Sequence, residues 1–452
     1  MASSVRAVVL AAGKGTRMKS RRPKVLHEIC GQSLLGHVVQ TLQRCEIADV
    51  RVVVNPELHE HAEALGLRTV VQEPQLGTGH AVQLALDDLP KDGVAVLIVS
   101  ADMPLVPAQL LRDVVEAQRT EKAALALVTA RVPLPSFFGR IIREGASLTR
   151  IVEQRDATAE QLKIDEVNAG IYCFDQAALR LVIAGLKTNN AQGELYLTDC
   201  IAALVREGAH IVTVEAKDYR DVMGINNRVE LAAARTILQA RILERHMLDG
   251  VTIVDPASTY VDAAVTIAPD TTIHPQTHLA GRTSIGRGCI IGPNSLIANS
   301  SIGDRAEVVQ SQVKDSIVGE GVTVGPFAHL RGSTVVEQDA RVGNFVEMKN
   351  TRLGRGAKAS HLSYLGDAEI GEKTNIGAGT ITCNYDGKKK HKTKIGKGVF
   401  IGSNSSLRAP IEIGDNAVTG AGSVVLHDVP PGERVAGNPA RALKKKGAAE
   451  PT

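Results

Sequence analysis

The chain has no tryptophan, and aromatic residues make up only 3% of its 452 positions. That scarcity argues against a reader of single-stranded nucleic acid, which needs flat rings for bases to stack on. Net charge is also small, at +3, too little to mark a nucleic-acid or membrane partner by itself. The six cysteines (Cys30, Cys45, Cys173, Cys200, Cys289 and Cys383) are scattered, with no C-x-x-C pair among them. Zinc-finger and thioredoxin-like readings therefore lack their ligands, and a reducing compartment fits best. No apolar run reaches the length of a membrane-spanning helix. The start, M-A-S-S-V-R-A-V-V-L-A-A-G, has no apolar core beyond one short strand, so no signal peptide is expected and a cytoplasmic protein is. Two phosphate-binding signatures are missing as well. G-x-x-x-x-G-K-[ST] does not occur, and G-x-G-x-x-G fails at Met18.

What the sequence does have is a ladder in its second half. Every sixth residue is aliphatic at Val261, Ile267, Ile273, Leu279, Ile285, Ile291 and Ile297. The phase slips near Ile302 and resumes at Val318, Val324, Leu330, Val336 and Val342. After an expected break between Leu353 and Ile370 it returns at Ile370 and Ile376. A second break precedes Ile395, Ile401, Leu407, Ile413, Thr419 and Val425. Glycine often follows the aliphatic residue, as at Gly286, Gly325, Gly371 and Gly402. No α-helix has period six, and a helix this rich in glycine is heavily penalised. A hexad repeat predicts a parallel β-helix, three hexads to a triangular coil, with the aliphatic residue pointing inward.

The first half alternates short apolar runs with helical patterns. Strands are expected over 6–10, 50–54, 94–100 and 123–129, and helices over 33–44, 79–88 and 107–119. That order predicts an open, mostly parallel, Rossmann-like α/β sheet. Ligands of such sheets lie beyond the carboxyl ends of the strands, where Gly13-Lys14-Gly15 and Asp102 fall. One long helix over 228–248 is expected to connect the halves. The expected division is 1–227, a 228–250 helical linker, and 251–452, whose tail from Lys444 on should fray.

The Gly13–Gly15 turn offers backbone N–H groups to phosphate oxygens, and Arg17 and Lys24 are placed to neutralise a triphosphate. L-A-A-G-K-G-T-R-M (10–18), P-K-V-L from Pro23, and Q-L-G-T-G-H-A (75–81) together resemble the sugar nucleotidyltransferases. In that chemistry a sugar 1-phosphate, already ionised, attacks the α-phosphorus of a nucleoside triphosphate. Positioning and cations are enough, without a general base. Asp102 is the candidate Mg²⁺ ligand, since magnesium commonly takes one or two protein oxygens plus phosphates. Asn226 or Asn227 would supply the second oxygen, and the resemblance favours Asn226. The resemblance further implies nucleotide contacts at Leu10, Ala11, Ala12, Gly13 and Lys24, and uracil contacts at Gln72, Gly77 and Thr78. It implies sugar contacts at Gly139, Glu153, Asn168 and Asn226.

On the ladder, G-N-F-V-E-M-K-N (343–350), H-L-S-Y-L-G-D (361–367) and N-I-G-A-G-T-I-T-C-N-Y-D-G (375–387) gather polar groups that a coil does not need. His361 has the right chemistry for a base that frees an amine for acyl transfer. Glu347 is expected to orient and charge-stabilise it. Cys383 is discounted as a nucleophile, because direct transfer to an amine needs no covalent step. Most lysines of the run Lys388–Lys392 are expected to be solvated charge, one or two being recruited by a nearby phosphate or coenzyme. Two histidines, His274 and His278, are too far along the prism from His361 to build a zinc hydrase site.

This half is similar to the left-handed β-helix acyltransferases. The combination, from about Val5 to Arg441, resembles the bacterial bifunctional family that makes UDP-N-acetylglucosamine, a precursor for peptidoglycan and lipopolysaccharide. Members acetylate glucosamine 1-phosphate with acetyl-CoA, then transfer uridylyl from UTP to N-acetylglucosamine 1-phosphate with Mg²⁺. By that resemblance Arg331, Lys349, Tyr364 and Asn375 bind the amino-sugar phosphate. Ala378, Asn384, Tyr385, Ser403, Ala421 and Arg441 line the acetyl-CoA site, and the assembly is a homotrimer. Three segments depart from the family pattern: Ser100-Ala101-Asp102, Leu330-Arg331-Gly332-Ser333 and Gly437-Asn438-Pro439-Ala440-Arg441.

Overall fold

The computed structural model describes residues 5–443; the tail from Lys444 lies outside the described residues. The chain forms two compact units, 1–238 and 239–452, divided within one continuous helix, Arg228–Leu248.

The first unit is built on a sheet with spatial order Ile211–Glu215, Leu125–Arg131, Glu166–Phe174, Ala95–Ser100, Val5–Leu10, Val50–Val54, Arg68–Val71. Glu166–Phe174 runs antiparallel to both neighbours, while the other pairs along this order are parallel. A hairpin of Arg140–Glu144 and Ser147–Val152 hangs from that antiparallel strand. The interior strand Val5–Leu10 is apolar on both faces: Ala7 and Val9 pack into one cluster and Val8 into the other. Such double burial is what helices on both sides of a parallel sheet require. The predicted strand at 123–129 lies two residues later, and the hairpin was not legible as strands at all.

The second unit is a three-sided coil. Up to the closing strands, each short strand pairs in parallel with the strand three places on, and the faces hold 12, 10 and 9 strands. Val261, Ile273, Leu279, Ile291 and Ile297 are essentially inaccessible, as the hexad pattern demands. Glycine after the interior residue has a direct cause. A Cβ at Gly371 would stand 2.5 Å from the backbone of Gly396 in the next coil, and one at Gly402 would stand 2.5 Å from that of Gly420.

The expected break between Leu353 and Ile370 is not there. Ala359 and Leu365 are fully buried at the interior positions, and their strands pair in register with the coils on either side. Steps of five residues, as from Met348 to Leu353 and from Leu365 to Ile370, move the phase, and alanine carries a weak apolar signal. The second break is smaller than expected. Buried Thr382 holds the interior place after Ile376, so only the loop from Asn384 to Lys392 is inserted. The closing strands Arg434–Gly437 and Ala440–Ala442 form an antiparallel hairpin that ends the 12-stranded face.

Because Leu330 is fully buried inside the prism, Leu330→Ala should cost roughly 2–5 kcal/mol of stability in this unit, read as a lowered denaturant midpoint.

Candidate functional sites on the two units

In the first unit three segments meet beyond the carboxyl end of Val5–Leu10. The backbone N–H of Ala11 donates to Val53 O (2.8 Å), that of Ala101 to Leu10 O (2.9 Å), and that of Ile225 to Asp102 O (2.9 Å). These bonds tie the glycine turn, Asp102 and the 224–227 loop into one frame. At its centre Lys24 Nζ donates to Asp102 Oδ2 (2.5 Å) and Asn226 Oδ1 (3.3 Å). Arg17 Nη2 also donates to Asn226 Oδ1 (2.9 Å). Gly15 has φ of 59°, and a Cβ there would lie 2.6 Å from Lys24 Cβ. Glycine is therefore needed both for the turn and for the lysine's approach. The two asparagines differ in their bonds. Asn227 Oδ1 accepts from the N–H groups of Val229 and Glu230 at the start of the long helix, while Asn226 turns toward Lys24. Asp102 caps no helix.

The turn at Leu76–Gly79 is fastened to a neighbouring segment. Gly79 N donates to Leu195 O, Leu195 N to Leu76 O, and Leu197 N to Thr78 Oγ1. Gln72 is buried, and its Nε2 donates to Gly77 O (2.9 Å). Farther along the same face, Gly139 lies against Glu153, whose Oε2 would be 3.3 Å from an added Cβ. Thr198 Oγ1 donates to Glu153 Oε1 (3.0 Å), and Asn168 Nδ2 donates to the Tyr172 hydroxyl (2.6 Å). Burial pushes the Glu153 carboxyl above its ordinary range, against the Thr198 bond, and Asp156 and Asp199 add to the rise. Thr198 was not singled out from sequence. It enters only because its hydroxyl holds the carboxylate.

On the prism, coil length explains the second cluster. Asn344, His361, Ala378, Ser403 and Ala421 each precede a left-handed corner residue (Phe345, Leu362, Gly379, Asn404 and Gly422). They stack on one edge, with Leu362 N bonding to Asn344 O, Asn404 N to Ala378 O, and Gly422 N to Ser403 O. His361 Nδ1 donates to Asn344 Oδ1 at 2.6 Å, a bond that in the neutral ring puts the lone pair on Nε2. The expected partner Glu347 is engaged elsewhere: it accepts from Arg331 Nε (2.9 Å) and Nη2 (2.5 Å). The correction follows from register. Asn344 lies beside His361 one coil back, whereas Glu347 lies beside Tyr364 on the adjoining face. Arithmetic on a 17-residue coil would have found Asn344, since it and His361 are 17 apart.

Arg331 and Lys349 are register partners. Lys349 lies beside Lys390, which with partial burial and the nearby Arg331 holds its ammonium below the ordinary lysine range. Lys390 is thus the lysine of the charge run that stands beside Lys349. The loop is pinned at its root by Asn384 Nδ2 to Asp367 Oδ2 (2.5 Å) and at its tip by the Asp386 carboxylate. That carboxylate accepts from Lys388 N, Lys389 N and His391 Nε2, each at 2.7 Å. Tyr364 OH lies over Gly366, where any Cβ would meet it at 2.5 Å. Asn375 sits beside Lys358 and Phe400 on the 12-stranded face. Tyr385 is exposed, its hydroxyl bonded to Gly387 O. Arg441 is exposed on the terminal hairpin, away from the His361 edge along the coil axis. Burial raises the Cys383 thiol, which makes it a poorer nucleophile.

Comparison with known proteins agrees with both halves. A MobA-like NTP transferase domain model matches residues 7–162, a GMPPB C-terminal domain model 261–355, and a bacterial transferase hexapeptide (six repeats) model 392–427. The bifunctional protein GlmU of Heliobacterium modesticaldum is 46% identical over 94% of both chains. That of Thermobifida fusca is 45% identical over 97% of this chain and 93% of its own. The chain belongs to the bifunctional GlmU family. It is therefore a bifunctional enzyme of UDP-N-acetylglucosamine synthesis, joining uridyltransferase and acetyltransferase activities. Its second unit is a left-handed β-helix. Of the departing segments, Ser100-Ala101-Asp102 places Ala101 fully buried.

The raised Glu153 carboxyl has a sign that can be measured. Its folded value lies above the unfolded one, so it binds its proton more tightly in the native state, and its contribution to stability falls as pH rises above the unfolded value. Glu153→Gln keeps an acceptor for Thr198 and removes the buried charge. Thermal unfolding of the variant should exceed the parent's at pH 7, with the difference shrinking toward pH 4.

Proposed function

We propose that the Lys24–Asp102–Asn226 cluster is the uridylyl-transfer centre and that the His361 edge is the acetyl-transfer centre. The observation that carries the first reading is the convergence of Asp102 and Asn226 oxygens on one cation, the Lys24 ammonium. Two such oxygens suit Mg²⁺, which takes few protein ligands and completes its shell with phosphates and water. Magnesium, when bound, would neutralise charge on the triphosphate. Lys24 and Arg17 turn toward the phosphates, and the backbone of Leu10–Gly13 cradles them. Gln72, Gly77 and Thr78 meet the uracil, and Gly139, Glu153 and Asn168 the sugar. A phosphate oxygen of N-acetylglucosamine 1-phosphate forms the new bond to the α-phosphorus of UTP. The bond to the leaving pyrophosphate breaks, and no proton has to move.

For the second reading the carrying observation is the Asn344–His361 hydrogen bond. It fixes the ring proton on Nδ1 and leaves Nε2 as base. The amine of glucosamine 1-phosphate attacks the thioester carbon of acetyl-CoA. Its proton passes to His361 Nε2, the C–S bond breaks, and the leaving sulfur takes that proton to depart as the thiol. Arg331, Lys349 and Lys390 hold the sugar phosphate, with Tyr364 and Asn375 on the sugar. Glu347 acts by fixing Arg331. Ala378, Asn384, Tyr385, Ser403, Ala421 and Arg441 form the coenzyme side. A homotrimer with sites between subunits and a cytoplasmic location belong to this reading. No described helix is long and apolar enough to cross a membrane.

The separation of the two centres makes the test specific. His361→Ala should lower acetyl transfer by about 10²-fold or more and leave uridylyl transfer intact. Asp102→Ala should do the reverse. Each variant is assayed for thiol release from acetyl-CoA and for pyrophosphate release from UTP. Loss of both activities in either variant would contradict the assignment.

A further inference from the structure

Arg140 is the largest side chain that the fold hides completely, at 1% exposure. Among the described residues no carboxylate pairs with it. Nη1 donates to Phe138 O and Nη2 to Ser136 O (3.0 Å), while Nε has no partner. Three residues on, Arg143 shows the usual solution, a two-pronged bond to Glu166 at 2.6 and 2.9 Å. A buried cation without an anion is costly. What Arg140 gains in return is a grip on two carbonyls of its own preceding loop.

That loop borders the sugar side of the first centre. Gly139 sits between the gripped carbonyls and Arg140 itself. Its own carbonyl accepts from Asn168 N at 2.9 Å. Its Cα faces inward, where a Cβ would stand 3.0 Å from Ile151 Cγ2 and 3.3 Å from Glu153 Oε2. Phe138 packs on the core, and Phe137, between the two gripped residues, is 82% exposed. The backbone from Ser136 to Gly139 is therefore held at both sides: by Asn168 on the strand and by the guanidinium from behind.

We propose that Arg140 is a positioning residue for sugar recognition: its guanidinium fork fixes the Ser136–Gly139 lip against Glu153 and Asn168. It touches no substrate. This inference rests on the assignment of Glu153 and Asn168 to the sugar. A fork is required because two carbonyls two residues apart must be gripped by one planar group, which a lysine ammonium on a flexible stem does less well.

The test compares Arg140→Lys and Arg140→Met in the full chain, with N-acetylglucosamine 1-phosphate and UTP varied separately. A lip displaced by an ångström should raise the sugar KM about tenfold or more in the methionine variant and less in the lysine variant. The UTP KM and acetyl transfer should stay within about twofold. A parallel rise in both KM values, or no change in either, would overturn the proposal, since a merely structural role predicts no preference for the sugar. If the methionine variant does not fold, hydrogen exchange at residues 136–139 of the lysine variant decides. Faster exchange, slowed again by the sugar phosphate, supports the proposal; exchange equal to the parent's overturns it. A sugar KM left unchanged by both Glu153→Ala and Asn168→Ala would instead refute the underlying reading, so the two failures are distinguishable.

Discussion

A parallel strand cannot be joined to its neighbour by a tight turn, and both units of this chain are built mainly from parallel strands. Every strand must be followed by a connection, and the chemistry gathers at the strand ends and in those connections. In the first unit the segments after Val5–Leu10 and Ala95–Ser100 bring Lys24 and Asp102 together. In the second, three connections per coil repeat at fixed corners, so residues one coil apart become neighbours. Asn344 and His361 meet for that reason alone.

The same constraint accounts for the cations. Neither proposed reaction uses a side-chain nucleophile, and both handle phosphates. Arg331 and Lys349 are aligned by strand register, and Lys390 is brought beside Lys349 by the inserted loop from Asn384 to Lys392. Lys24 is brought to Asp102 and Asn226 through a turn that only glycine at position 15 permits. Positive groups are thus concentrated locally, in a chain whose net charge is only +3.

Much of the fold was legible in sequence because hexad periodicity is a strong signal where the interior residue is Val, Ile or Leu. It failed at Ala359 and Thr382, where the buried residue is small or polar, and at the five-residue steps that shift phase. Four of the parallel strands of the first unit were legible as apolar runs, while the edge strands Arg68–Val71 and Ile211–Glu215 were not. The hairpin Arg140–Val152 was not, because its alternation is interrupted by charges and its burial depends on the strand beneath it. At the sites, residue types pointed to His361, Asp102, Arg17 and Lys24. Partner choice did not follow from type. Glu347 has the better chemistry for orienting a histidine, yet Asn344 has the position. Arg140 was invisible, since nothing local marks an arginine that will be buried without an acid.

The central claim is that one chain carries both steps, the acetylated sugar of one centre being the substrate of the other. The most direct measurement supplies glucosamine 1-phosphate with acetyl-CoA alone, with UTP alone, and with both. Acetyl-CoA alone should release thiol and give the N-acetylated sugar phosphate. Both together should give UDP-N-acetylglucosamine and pyrophosphate, at yields that UTP alone does not approach. No thiol release, with uridylyl transfer seen only when N-acetylglucosamine 1-phosphate is supplied, would contradict the account and reduce the prism to a scaffold.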